Sequence, residues 1–206
     1  DLPDEESMHA KALFEGLFRG DREETELSDL QNRFYEDIDK AKEEILGGDV
    51  VLMQLETPIE TVEYAAKMAA EAGVKVILNP APAPAEPLSK ELISNLFLIT
   101  PNRSEASRLT GIEVTDLASA QRAALALYDM GAKNVIVTLG SEGSLVYDGH
   151  MMMRVEAIKV EAVDTTAAGD TYNGVLASVI AEGKSLKMWK SKTNMTEPEF
   201  SATNKI

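Results

Sequence analysis

The chain has 206 residues, which is enough for one sizeable domain or for a domain with an appendage. Hydrophobic residues make up 44% of it, which excludes global disorder, and a net charge of −15 argues against a nucleic-acid partner because phosphates would be repelled. The absence of cysteine excludes disulfides and thiolate sites and fits a cytoplasmic protein. We find no signal-peptide pattern and no bilayer-length apolar run, so we expect no membrane partner.

The first 47 residues differ from the rest in charge. They carry 15 acidic and 6 basic side chains, and apolar residues such as Leu13, Leu30 and Phe34 recur near helical spacing. The pattern predicts an acidic helical N-terminal segment at 1–47 with a solvated charged face. A second interpretation is an interaction protein whose acidic helices dock a basic partner.

From Asp49 onward, strand and helix patterns alternate. The run at 50–55 predicts a strand buried on both faces. Further strands are predicted at 74–78, 96–99, 135–139, 144–147 and 151–163, with helices at 57–72 and 117–130 and a last helix that follows Asp170 and runs to Ala181. This order predicts an α/β core at 48–186, a largely parallel sheet flanked by helices, followed by a polar tail at 187–206. Ligand chemistry is then expected where the parallel strands end.

A loop of small residues at 165–169 precedes the last apolar helix. Such a loop lets a ligand approach the first helical amides, which have no partner within the helix, so it predicts an anion site. Asp170 places a carboxylate beside that site, where it suits an acceptor of the proton from an attacking hydroxyl. The alternative is that Asp170 only caps the helix.

The stretch Asp164-Thr-Thr-Ala-Ala-Gly-Asp-Thr-Tyr-Asn-Gly174 resembles the C-terminal signature of the ribokinase-like (PfkB) carbohydrate kinases. Three further segments resemble the same family in order and spacing: LMQLE at 52–56, LNPAPA at 78–83, and ITPNRSE at 99–105 with LTG at 109–111. The resemblance covers about residues 49–186. It implies a ribokinase-like fold and transfer of the ATP γ-phosphoryl group to a sugar hydroxyl, with ribose favoured and with magnesium and potassium as cofactors.

The resemblance also implies roles in the phosphoryl-transfer centre. Asp170 matches the general base and contacts the sugar, and the amides of Ala167, Ala168 and Gly169 match the anion hole. Asp164 and Thr166 match positions that help to hold a monovalent cation, usually potassium.

A second group of residues matches the family's magnesium motif and sugar contact. Asn102 and Glu105 match its N-x-x-E motif, which organises magnesium through water, although locally they are also typical of a helix cap and a first-turn acid. Glu56 matches a sugar contact, and capping of the following helix is the equal alternative. Arg103 stands where many relatives have Glu, and we expect little effect from that change.

The nucleotide is expected along one edge of the sheet. The turn after the strand at 135–139 resembles the family's nucleotide-binding strand end, although alone such a turn is usually only a turn. The residues assigned to the nucleotide are Asn79, Thr138, Gly140, Ser141 and Gly143.

The resemblance fails at both ends. Before Asp49 the chain lacks the family's N-x-D sugar contact and glycine-rich loop, and residues 187–206 replace two helices that would cover adenine. We therefore expect a chain truncated at both ends, and the apolar surface left exposed favours oligomerisation, for example a homodimer. The alternative function is a non-catalytic nucleotide-binding fragment that lacks its sugar lid.

Overall fold

The computed structural model describes residues 33–157, 168–184 and 186. The chain divides into two compact units, with the boundary between Lys42 and Glu43. In the first unit, residues 33–40 are helical, and the exposed Lys40 Nζ lies 2.8 Å from Asp37 Oδ1. Most of the predicted acidic segment and the whole tail at 187–206 lie outside the described residues.

Within the second unit, six strands form one sheet in the order in which they occur in the chain. The strands are β1 (Val50–Met53), β2 (Lys75–Leu78), β3 (Leu98–Ile99), β4 (Val135–Thr138), β5 (Ser144–Tyr147) and β6 (Met152–Val155). Strands β1 to β4 pair in parallel, and β4, β5 and β6 pair antiparallel. The predicted α/β class with a largely parallel sheet is confirmed.

Helices connect and flank these strands. They are α1 (Lys42–Gly47), α2 (Ile59–Glu71), α3 (Lys90–Asn95), α4 (Arg103–Thr110), α5 (Leu117–Asp129) and α6 (Ala168–Ala181), with a 3₁₀ turn at Gly140–Glu142. Among the described residues, no helix combines the length and the apolar character needed to cross a bilayer.

The sheet separates two apolar cores because successive side chains of a strand point to opposite faces. On β2, Val76 and Leu78 join the core that packs against α2, α3, α4 and α5. Ile77, between them, joins a second core with Leu176 and Ile180 of α6. The continuous apolar runs seen in the sequence therefore reflect a sheet covered by helices on both faces.

Strand β1 departs from its prediction. It was expected to be buried on both faces, but it is only half-buried, and Leu52 is 37% exposed. The physical reason is its position, since β1 pairs only with β2 and forms one edge of the sheet in the described part of the chain.

Two leucines of α5 offer a direct test of this packing. Leu127 is fully buried, whereas Leu125, two residues earlier, is 41% exposed. We expect Leu127→Ala to lower the free energy of unfolding by about 2–5 kcal/mol, because it removes buried methyl groups and leaves a cavity. Leu125→Ala should change it by only about 0.5 kcal/mol. Urea unfolding followed by circular dichroism measures both, and equal losses would contradict this assignment of the core.

Candidate active site

The residues that follow the parallel strands, three of them polar, line one cleft of about 690 Å³. Gln54 comes directly after β1, Asn79 after β2, Thr100 after β3 and Leu139 after β4. They meet because the carboxyl ends of parallel strands lie at the same edge of a sheet. The first turns of α4 and α6 complete the wall.

Most of the site residues predicted from the sequence meet in this cleft. Those that line it are Glu56, Asn79, Asn102, Glu105, Thr138, Gly140, Ala168, Gly169 and Asp170. Ser141 and Gly143 are not part of the described lining. Asp164, Thr166 and Ala167 lie outside the described residues.

The structure gives Gly143 a packing role. Its φ angle is +90°, and a Cβ placed there would overlap the carbonyl oxygen of Val155 on β6. Its own carbonyl accepts a hydrogen bond of 2.8 Å from the amide of Leu139, which closes the turn. Glycine is therefore required here by backbone conformation and close approach, and its contact with a nucleotide stays a prediction.

Asp170 lies in the first turn of α6. The helix already includes Ala168 and Gly169, so the interpretation of Asp170 as the N-terminal cap is wrong. The first amides of a helix have no acceptor within it, and the amides of Ala168 and Gly169 belong to this group. An exposed carboxylate and first-turn amides therefore share one wall of the cleft.

Side-chain hydrogen bonds tie α6 to the strand ends. Gln54 Nε2 donates to Asp170 Oδ1 at 2.8 Å and to Asn79 Oδ1 at 3.0 Å. Asn79 Nδ2 donates to the carbonyl oxygen of Thr100 at 3.0 Å. The Thr100 hydroxyl donates to Asn173 Oδ1 at 2.7 Å, and Asn173 lies on α6. The carboxylate is thus held by a network that spans three strands.

Asn102 and Glu105 form a capping box at the start of α4. The Asn102 side-chain oxygen accepts from the Glu105 amide, and the Glu105 carboxylate accepts from both the amide and the side-chain nitrogen of Asn102, at 2.8 Å each. The local interpretation of this pair as a cap is confirmed. Both residues also line the cleft, so capping does not remove them from the site.

Glu56 does not cap the helix that follows it. The N-terminal cap of α2 is Pro58, which makes no side-chain cap hydrogen bond. The capping alternative is therefore wrong. Glu56 is exposed and lines the cleft.

The charged residues in the described lining are three acids and one base: Glu56, Glu105, Asp170 and Arg103. The Arg103 guanidinium donates to the carbonyl oxygen of Thr115 at 3.0 Å and pairs with Glu142. A polyphosphate entering this cleft would meet more negative than positive charge, so it needs an accompanying cation.

The described residues include no group of three or more acidic or histidine side chains that could hold a metal ion. Magnesium usually keeps several of its waters and binds a protein through only one or two carboxylates, so it does not need such a group.

The model of the pfkB family carbohydrate kinases matches residues 16–188, which is most of the chain. The chain belongs to this family. Ribokinase of Haemophilus influenzae is 47% identical to this chain over 146 residues, which cover 71% of this chain and 47% of the relative. Deoxyribokinase of Salmonella typhi is 38% identical over 142 residues, which cover 69% and 46%.

A solved structure leads to the same fold. The structure of Arabidopsis thaliana ribokinase, complexed with ribose and ATP, superimposes on this chain with a TM-score of 0.68 and 34% identity. The superposition covers 72% of this chain and 48% of that protein. The chain thus spans less than half the length of each of these three proteins.

Three residues of the site were not singled out from the sequence. Gln54, Thr100 and Asn173 were seen only as parts of longer matching segments. Gln54 and Thr100 are the first polar residues after apolar strands, and Asn173 is a buried amide beside the apolar stretch of α6. These positions could have been identified from the sequence, because a polar group beside an apolar core is expected to have a hydrogen-bond partner.

Glu105 is an acid of the cleft whose pKa is shifted. It is 9% exposed, and burial raises the pKa of its carboxyl, while the hydrogen bond from the Asn102 amide opposes this shift. A raised pKa means that the folded state binds the proton more readily than the unfolded state. Stability is therefore lost as the pH rises from the ordinary value of 4.5 through the raised folded value.

We expect this loss to disappear in Glu105→Gln. Thermal unfolding across the acidic to neutral range should show the stability of the natural chain, relative to the variant, falling as the pH rises above 4.5. Asp116→Asn provides a control of opposite sign, because hydrogen bonds from Ser119 lower the pKa of Asp116. Its contribution should be lost only as the pH falls below 3.8. If the stability of the natural chain relative to Glu105→Gln stays constant or rises with pH, the raised pKa of Glu105 is contradicted.

Proposed function

We propose that this chain carries the phosphoryl-transfer centre of a sugar kinase, which moves the γ-phosphoryl group of ATP to a sugar hydroxyl. The observation that carries the proposal is the carboxylate of Asp170, exposed in the first turn of α6 within a cleft at the strand ends. The Haemophilus relative is named ribokinase and the Arabidopsis protein binds ribose and ATP, which supports the same reaction here.

In the proposed reaction, the sugar hydroxyl oxygen forms a bond to the γ-phosphorus while the bond to the oxygen bridging the β- and γ-phosphorus breaks. Asp170 accepts the hydroxyl proton, and ADP leaves with the electron pair of the broken bond. The amides of Ala168 and Gly169, in the first turn of α6, together with the amide of Ala167, stabilise charge on the transferring group. Glu56, which also lines the cleft, contacts the sugar.

The nucleotide is assigned to the same edge of the sheet. Thr138 and Gly140 support this assignment because they line the cleft at the end of β4. Asn79 also lines it, although its side chain is 8% exposed and both ends of its amide are already hydrogen-bonded. Ser141 and Gly143 complete the proposed nucleotide-binding turn.

Two cations are part of the proposal. Asn102 and Glu105 suit a hydrated magnesium ion, because a carboxylate and an amide oxygen face a cleft that otherwise has excess negative charge. Bound there, magnesium would neutralise the phosphates during transfer. Asp164 and Thr166 are proposed to hold potassium next to the anion hole.

The acceptor is proposed to be ribose, with 2-deoxyribose as the other candidate because one relative is named deoxyribokinase. A homodimer is supported by the half-exposed β1 edge. The cytoplasmic location stays a prediction.

A second candidate is nucleotide binding without turnover. The matched region spans less than half of the Haemophilus ribokinase and of the Salmonella deoxyribokinase, so nucleotide binding and turnover are tested separately. Remote binding energy normally positions the reactants, so a protein that binds only ATP gains no rate from contacts with a sugar.

Asp170→Asn tests the proposal directly. We expect it to reduce sugar-dependent ADP release by about 100-fold or more, because it removes the proton acceptor and leaves the shape of the side chain nearly unchanged. The assay contains ATP, magnesium and potassium with either ribose or 2-deoxyribose. Asp129→Asn is the matched control, since Asp129 is an exposed acid on α5 that does not line the cleft.

The outcomes separate the two candidates. Equal turnover in the natural chain and in Asp170→Asn would remove Asp170 from the proposed role. ATP binding by calorimetry without turnover for either sugar would favour the non-catalytic alternative, and absence of ATP binding would contradict both.

A further inference from the structure

The side-chain amides next to Asp170 have only one consistent orientation. The carbonyl oxygen of Thr100 can only accept a hydrogen bond, so the end of Asn79 that faces it must be the nitrogen, at 3.0 Å. The oxygen of Asn79 then faces Gln54, which must present its own nitrogen, also at 3.0 Å. The backbone carbonyl of Thr100, directly after β3, therefore determines the orientation of Gln54 through the side chain of Asn79.

Gln54 Nε2 carries two hydrogens, and the structure uses both. One is donated to Asn79, and the other is donated to Asp170 Oδ1 at 2.8 Å. If the Gln54 amide were rotated by half a turn, its oxygen would face two acceptor oxygens. The contact with Asp170 is thus a consequence of the surrounding hydrogen bonds and not of an arbitrary choice of amide orientation.

The helix that bears Asp170 is held by the same strand end. The Thr100 hydroxyl donates to Asn173 Oδ1 at 2.7 Å, and Asn173 Nδ2 donates to the carbonyl oxygen of Gly169 at 2.9 Å. Thr100 and Asn173 are 1% and 3% exposed. Hydrogen bonds therefore lead from the buried residue Thr100 both to Gln54, which binds the carboxylate, and to the turn of α6 that carries the carboxylate.

We propose that Gln54 is a positioning residue for the phosphoryl transfer, and that it acts through Asp170 by holding one carboxylate oxygen. With Oδ1 engaged, Oδ2 is the oxygen oriented to accept the proton of the sugar hydroxyl. This inference rests on the proposed function, but it assigns a role to a residue for which the sequence signature implied none. It also explains why a polar side chain follows the apolar strand β1 at this point.

Kinetics supply the first test, with Gln54→Met as the variant because methionine has a similar length and no N–H donor. We expect kcat to fall by about 10- to 100-fold, the range for loss of one hydrogen bond to a charged group, with the KM for ATP unchanged. Gln121→Met is the matched control, since Gln121 is exposed on α5 and lies outside the cleft. The double variant Gln54→Met with Asp170→Asn should be no slower than Asp170→Asn alone, because Gln54 acts only through Asp170.

A nitrogen-15 NMR spectrum supplies a second test that does not depend on turnover. The side-chain amide signal of Gln54 is identified by its absence in Gln54→Met. We expect Asp170→Ala to shift this signal and to leave the signal of Gln121 in place. A Gln54 signal that does not move in Asp170→Ala would show that the contact is absent in solution and would overturn the inference.

The failure of the inference can be told apart from the failure of the proposed function. Turnover by the natural chain, with Gln54→Met equally fast, would overturn the positioning role alone. No sugar-dependent turnover by the natural chain would overturn the proposed function and the positioning role with it, whatever the NMR result.

Discussion

Thr100 stands at the end of β3, almost fully buried, and makes hydrogen bonds in two directions. Its carbonyl oxygen accepts from Asn79, and its hydroxyl donates to Asn173. A buried polar group is costly unless it is satisfied, so these bonds restrict where the end of β2 and the helix α6 can lie. The position of the Asp170 carboxylate in the cleft depends on that restriction, because α6 carries Asp170.

The cleft shows how one residue can serve both the fold and the chemistry. Asn102 and Glu105 cap α4 and also line the cleft, and no conflict arises because a helix N-terminus presents its capping groups at the edge where ligands approach. Gly143 illustrates the opposite case. Its place in the signature turn is explained by its backbone conformation and its packing against β6, without any ligand.

Much of the fold could be predicted because apolar periodicity reports directly on burial. Val76, Ile77 and Leu78 alternate between two cores because of strand geometry. A strand covered on both faces appears in the sequence as a continuous apolar run, and such runs predicted the α/β class. The burial of β1 could not be predicted in this way. An apolar run describes which residues avoid water, but it does not state how many neighbouring strands are present, and β1 has one in the described part of the chain.

The sequence by itself determined the family, the order of the strands and of three of the helices, and nine of the residues that line the cleft. All of these depend on local patterns or matched segments. Only the tertiary structure decided that Asp170 lies within α6 and does not cap it, that Glu56 does not cap α2, and that Gln54 binds the Asp170 carboxylate. The reason is separation along the chain. Gln54 and Asp170 are 116 residues apart, and their contact exists only after the strand ends and α6 have been brought together by packing.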